Sequence, residues 1–109
     1  MNLERAIEIA QSETAGPDEL STLRLWLAGQ YARTGALLTG ILMRKPAVWR
    51  EIREREGIKS DHSADRAWEA TPDGLREMQY RMELKTCDKL TSAIRTRIEI
   101  LQGEARNTF

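Results

Sequence analysis

Residues 72–106, "PDGLREMQYRMELKTCDKLTSAIRTRIEILQGEAR", carry the pattern on which the fold class turns. Tyr80, Leu84, Cys87, Thr91, Ile94, Ile98, Leu101 and Ala105 recur at steps of four and three, the period of one face of an α-helix. Thr71 is placed to cap such a helix, Pro72 suits its first position, and Asp73 sits near the positive end of its dipole. The spacing predicts one helix from Pro72 to about Arg106, roughly 50 Å long at the usual rise per residue. A helix of that length is hard for a chain of 109 residues to cover alone. Its heptad-like seam therefore points to self-association, with Tyr80, Leu84, Thr91, Ile94, Ile98 and Leu101 as the expected oligomer interface.

A partner for this helix lies upstream. Leu20, Leu23, Leu27, Thr34, Leu38 and Ile41 step by threes and fours after "TAGPDEL", in which Gly16 ends one segment and Pro17 opens the next. A second helix over residues 17–44 follows. A parallel stripe of small residues runs down it: Ala28, Ala32, Gly35 or Ala36, and Thr39 or Gly40. Glycine costs about 1 kcal/mol against alanine inside a helix, so Gly29, Gly35 and Gly40 need an offsetting gain, and close approach to another helix backbone would supply it. Pro46 disfavours helical geometry at Lys45 and predicts a kink or restart there, with a third helix over 46–56 stopping at Gly57. Residues 2–12 read as a short amphipathic helix, and "IKSDHSADRAWEAT" as a linker plus a short helix capped by Ser60 or Asp61. The expected fold is all-α: a long antiparallel helical hairpin with short accessory helices, forming a single helical domain over residues 1–109.

Composition narrows the function. Seventeen basic and seventeen acidic residues leave no net charge, so any pull on nucleic acid must be local. The charge is uneven: residues 1–20 hold Arg5 against five acids, whereas residues 44–59 hold six basic residues against three. In that basic segment Arg44, Lys45, Arg50, Arg53, Arg55 and Lys59 surround Trp49. Cations interleaved with an aromatic ring are how single-stranded nucleic acid is held without sequence preference, and these seven residues are the candidate nucleic-acid-binding set. The competing reading is a solvated helix in which Glu51, Glu54 and Glu56 pair with the arginines, each pair contributing only tenths of a kcal/mol.

Chemistry of other kinds finds little support. His62 is the lone histidine, in a polar linker, and the lone Cys87 lies on the apolar seam, where it reads as a small buried hydrophobe. The glycine spacing fits neither a P-loop nor a dinucleotide fingerprint, and no zinc-ligand spacing occurs. A non-enzymatic protein without a cofactor or metal is expected. The amino terminus lacks the plan of a signal peptide, "GALLTGILM" is far short of a membrane span, and a lone cysteine suits a reducing compartment, so a cytoplasmic location is expected.

The layout of a central helix running into a basic segment, then "GIKSDHSADRAWEAT", then a long helix ending "LTSAIRTRIEILQGEARN" resembles small phage proteins of the UvsY-type recombination mediator class over residues 20–106. The resemblance implies a helical homo-oligomer that binds single-stranded DNA and helps load a recombinase onto strands covered by single-strand-binding protein. Carried onto this chain, the basic central segment is Arg44, Lys45, Arg50, Arg53, Arg55 and Lys59. The alternative is a small helical assembly or adaptor protein, such as a phage structural subunit, with no nucleic-acid role.

Overall fold

The computed structural model describes residues 1–55 and 57–107. Its regular structure is four helices, α1 (Leu3–Gln11), α2 (Pro17–Arg55), α3 (Asp61–Glu69) and α4 (Pro72–Asn107), with no strand among the described residues. The chain is all-α, two long antiparallel helices with two short ones, as the periodicity predicts.

Each boundary has a local chemical cause. The Asn2 side chain accepts the Arg5 N–H at 2.8 Å and the Ser60 hydroxyl accepts the Ser63 N–H at 3.1 Å, satisfying donors that a helix start leaves orphaned. At α4 the Thr71 hydroxyl accepts the Gly74 N–H at 3.0 Å while donating to the Trp68 carbonyl at 2.6 Å. The end of α2 is closed by Gly57, whose φ of 62° lies in the left-handed region open to glycine, and by the Ile58 N–H reaching back to the Arg53 carbonyl at 3.1 Å.

The expected restart at Pro46 does not occur: α2 runs through it as one helix to Arg55. Proline inside a helix costs on the order of 3 kcal/mol. Ile41 and Ile52, on either side of it, are 2 % and 4 % exposed and share one cluster with Trp68. Packing on both flanks of Pro46 outweighs the lost backbone bond. Within the 46–56 segment, Glu56 lies outside the described residues.

Two compact units make up the chain, residues 1–32 with the chain from Lys85 onward, and Arg33–Leu84. In the first, Ala6 and Ile9 of α1, Leu20, Leu23 and Leu27 of α2, and Cys87, Ile94 and Ile98 of α4 form the buried cluster, with Leu3, Trp26, Leu90 and Leu101 packed on its edge. In the second, Ile41, Ile52 and Trp68 are the buried centre, flanked by Val48, Trp49, Ile58, Ala67 and Tyr80.

This places much of the predicted oligomer seam inside the chain. Ile94 and Ile98 are 1 % and 8 % exposed against α1 and α2, Leu101 packs on the same cluster, and Tyr80 packs on the second. Leu84 and Thr91 are half-buried. The spacing identified a buried stripe; it carried no information on whose helix buries it. The glycine stripe finds no partner within the chain at two of its positions. A Cβ added at Gly35 would meet nothing within 4 Å, and at Gly40 only the Arg44 guanidinium at 3.6 Å, so neither glycine admits another helix backbone of this chain.

Candidate functional site

The basic segment lies in the second unit, on the last turns of α2 and, for Lys59, in the link to α3, and α3 and α4 bring carboxylates to meet it. Lys45, Trp49 and Arg53 step by four and so share a stripe of α2, while Asp61, Asp65 and Trp68 step by four and three along α3. The two stripes run antiparallel and make three rungs. Arg53 is ion-paired and hydrogen-bonded to Asp61. The Trp49 indole N–H donates to Asp65 at 3.0 Å, and the Lys45 ammonium lies 5.4 Å above the Trp68 ring. Arg53 also stacks over Trp49 at 5.3 Å and donates to the Lys59 carbonyl at 2.9 Å.

The start of α4 adds a second set of anions. Lys45 bonds Glu77 at 2.9 Å, Arg81 approaches the other Glu77 oxygen at 3.3 Å, and Arg44 lies 3.5 Å from Asp73, which Arg76 also holds at 3.1 Å. Glu77 is the least exposed carboxylate in these pairs, its side chain only 14 % accessible. Burial alone would raise its pKa, but hydrogen bonds and charge from Lys45 and Arg81 outweigh that and hold it below the ordinary carboxylate value. Beside these groups is a surface cavity of about 470 Å³ lined by Lys45, Trp68, Glu69, Glu77, Met78 and Arg81, among others. The Trp68 indole N–H is buried without an acceptor among the described residues.

Of the seven candidate nucleic-acid residues, then, Arg44, Lys45 and Arg53 are paired with carboxylates from α3 or α4, Arg55 with Glu51 at 3.8 Å, and Trp49 is half-buried under Arg53. Arg50 and Lys59 are exposed, and neither side chain has an ion pair among the described residues. Among the described residues, the glutamates interleaved in the segment contribute one of these pairs. Asp61, Asp65, Asp73 and Glu77 supply the rest, partners that sequence spacing missed. Their signal was present only as a matching step on two helices separated by a linker. Elsewhere, His62 is exposed, Cys87 is 1 % exposed, and no group of three or more metal-ligating side chains occurs among the described residues. No described helix is long and apolar enough to cross a membrane.

A search of protein-family models, curated proteins and solved structures finds no match to this chain.

Proposed function

We propose that this chain is a non-enzymatic helical assembly or adaptor protein that works through its helix faces. The observation that carries the reading is the pairing of the basic segment with the chain's own carboxylates. Polyanion binding draws its free energy from counterions released when phosphates are neutralised by Lys and Arg. A guanidinium already held by a carboxylate must give up that pair before it can neutralise a phosphate. The second unit as a whole holds ten basic against nine acidic residues, too even a balance to generate an attractive field of its own. Meanwhile Leu25, Met43, Leu75, Met78, Met82 and Ile100 are each more than half exposed, and apolar surface of that kind on helices is what a helical partner covers.

A second reading, the single-stranded DNA-binding accessory protein implied by the mediator resemblance, draws support from Arg50, Lys59 and the Arg53–Trp49 stack. Anisotropy of a labelled single-stranded oligonucleotide, titrated at low and high salt, separates the two. The assembly reading expects flat traces at both salts. Saturable, salt-sensitive binding that is lost in the Arg50→Ala, Arg53→Ala double variant, with helicity kept, would overturn it in favour of DNA.

A further inference from the structure

The cavity walled by Lys45 of α2, by α3 and by the first turns of α4 lies wholly within the second unit. Its volume of about 470 Å³ falls within the roughly 300–1,000 Å³ typical of small-molecule sites. Trp68 lines it while being only 2 % exposed, and the indole N–H has no acceptor among the described residues. A donor left in that state keeps its full desolvation cost. An oxygen atom seated in the cavity would offset it.

The charged groups of the wall sort into those already matched and those with bonding capacity to spare. Glu77 is matched twice, by the Lys45 ammonium at 2.9 Å and by the Arg81 Nε at 3.3 Å. Arg81 uses only its Nε there, so the two terminal nitrogens of this half-exposed side chain carry no bond among the described residues. Asp65 accepts the Trp49 N–H through one oxygen and pairs with no cation, and the exposed Glu69 side chain has neither a hydrogen bond nor an ion pair among the described residues. Arg66, between them in sequence, does not line the cavity and pairs with neither. What remains is one set of donors, the Trp68 N–H and the Arg81 fork, and two carboxylates one helical turn apart on α3. A simple anion would meet Asp65 and Glu69, and a simple cation would meet Lys45 and Arg81, like charges in either case. A molecule carrying both signs on a short skeleton matches both sets.

We propose that this cavity binds a small dipolar molecule of the free α-amino-acid class, its carboxylate taken by the Trp68 N–H and the Arg81 guanidinium and its ammonium by Glu69 and Asp65. Such a site goes beyond the assembly role and is independent of whether the helix faces find a partner.

The test is a titration of the isotope-labelled full chain with each of the common free amino acids, and with sodium acetate and methylammonium chloride as single-charge probes, followed at the indole N–H signals by heteronuclear NMR. Trp68→Phe assigns the Trp68 signal, and Trp26, packed on the core of the first unit, supplies a reference. At least one amino acid is expected to move the Trp68 signal saturably, with both single-charge probes binding several-fold more weakly. Glu69→Gln is expected to raise the dissociation constant about two- to fivefold, the range an exposed charge pair supports, and Arg81→Gln by at least as much. Neither variant replaces a buried side chain, and circular dichroism checks that both keep the fold. A Trp68 signal unmoved by every amino acid overturns the proposal and leaves the N–H to a trapped water. Acetate binding as tightly as any amino acid, with no loss in Glu69→Gln, overturns the dipolar class of ligand.

Discussion

Gly74 and Gly35 lie in helices, and the same substitution at the two is expected to move stability in opposite directions. Helix propensity alone favours alanine over glycine by about 1 kcal/mol at an interior position. At Gly35 nothing stands within 4 Å of the new Cβ, so Gly35→Ala is expected to gain about that amount. At Gly74 the new Cβ would overlap the Trp68 carbonyl oxygen and lie 2.8 Å from the Trp68 carbonyl carbon and 2.9 Å from the Glu69 Cα. All three are backbone atoms, so no rotamer change relieves the clash. Moving them disturbs the corner between α3 and α4, because the same Trp68 carbonyl accepts from the Thr71 N–H at 2.9 Å and from its hydroxyl at 2.6 Å. Overpacking of this kind costs about 1–3 kcal/mol, and loosening the Thr71 cap about 1 more. Set against the propensity gain, Gly74→Ala is expected to lose roughly 1–3 kcal/mol, a fall on the order of 10 °C in Tm for a chain of this size. Urea titrations followed by far-ultraviolet circular dichroism measure both variants, with the midpoint shift read at unchanged slope. A Gly74→Ala midpoint equal to or above wild type would refute the reasoning, since it would mean that the corner gives way without cost.

Three further outcomes are expected. Glu77, depressed in the folded state, contributes stability that is present above its ordinary value of 4.5 and is lost as pH falls through the lower folded value; Glu77→Gln is therefore expected to lose about 1–2 kcal/mol near neutrality, with its urea midpoint converging on that of wild type as pH drops below 4.5. A constant gap from pH 7 to pH 3 would count against the Lys45–Glu77–Arg81 arrangement. Ile94→Ala, in the core of the first unit, is expected to cost about 2–5 kcal/mol and to leave sedimentation mass unchanged, whereas a change of mass at unchanged stability would return Ile94 to an interface between chains. Thr71→Val removes a hydroxyl that both caps α4 and bonds the Trp68 carbonyl, and a loss of about 1–2 kcal/mol is expected from thermal melts, largely recovered in Thr71→Ser.

The helices were legible because their signals are local. Apolar steps of three and four, proline at the first position of α2 and α4, and the caps at Ser60 and Thr71 all act within a few residues. Where non-local packing competed with a local signal, the local reading failed. Pro46 opposes a continuous α2 at its own position, yet the burial of Ile41 and Ile52 against Trp68 holds the helix through it. Gly35 and Gly40 suggested a tight crossing that no other helix makes at those two positions among the described residues. Gly74, which does meet backbone closely, was indistinguishable by spacing from a tolerated helical glycine.

The basic segment shows why charge is the harder quantity to read from sequence. Intervals of three and four reveal only partners on the same helix, and of those the structure keeps Arg55 with Glu51. Asp61 and Asp65 reach Arg53 and Trp49 because α3 folds back antiparallel along α2, and Asp73 and Glu77 reach Arg44 and Lys45 because Thr71 turns the chain into α4. A cluster counted as six cations against three acids along the chain becomes, in the folded unit, ten against nine. Function follows the folded count, since the field at a surface sums over neighbours in space.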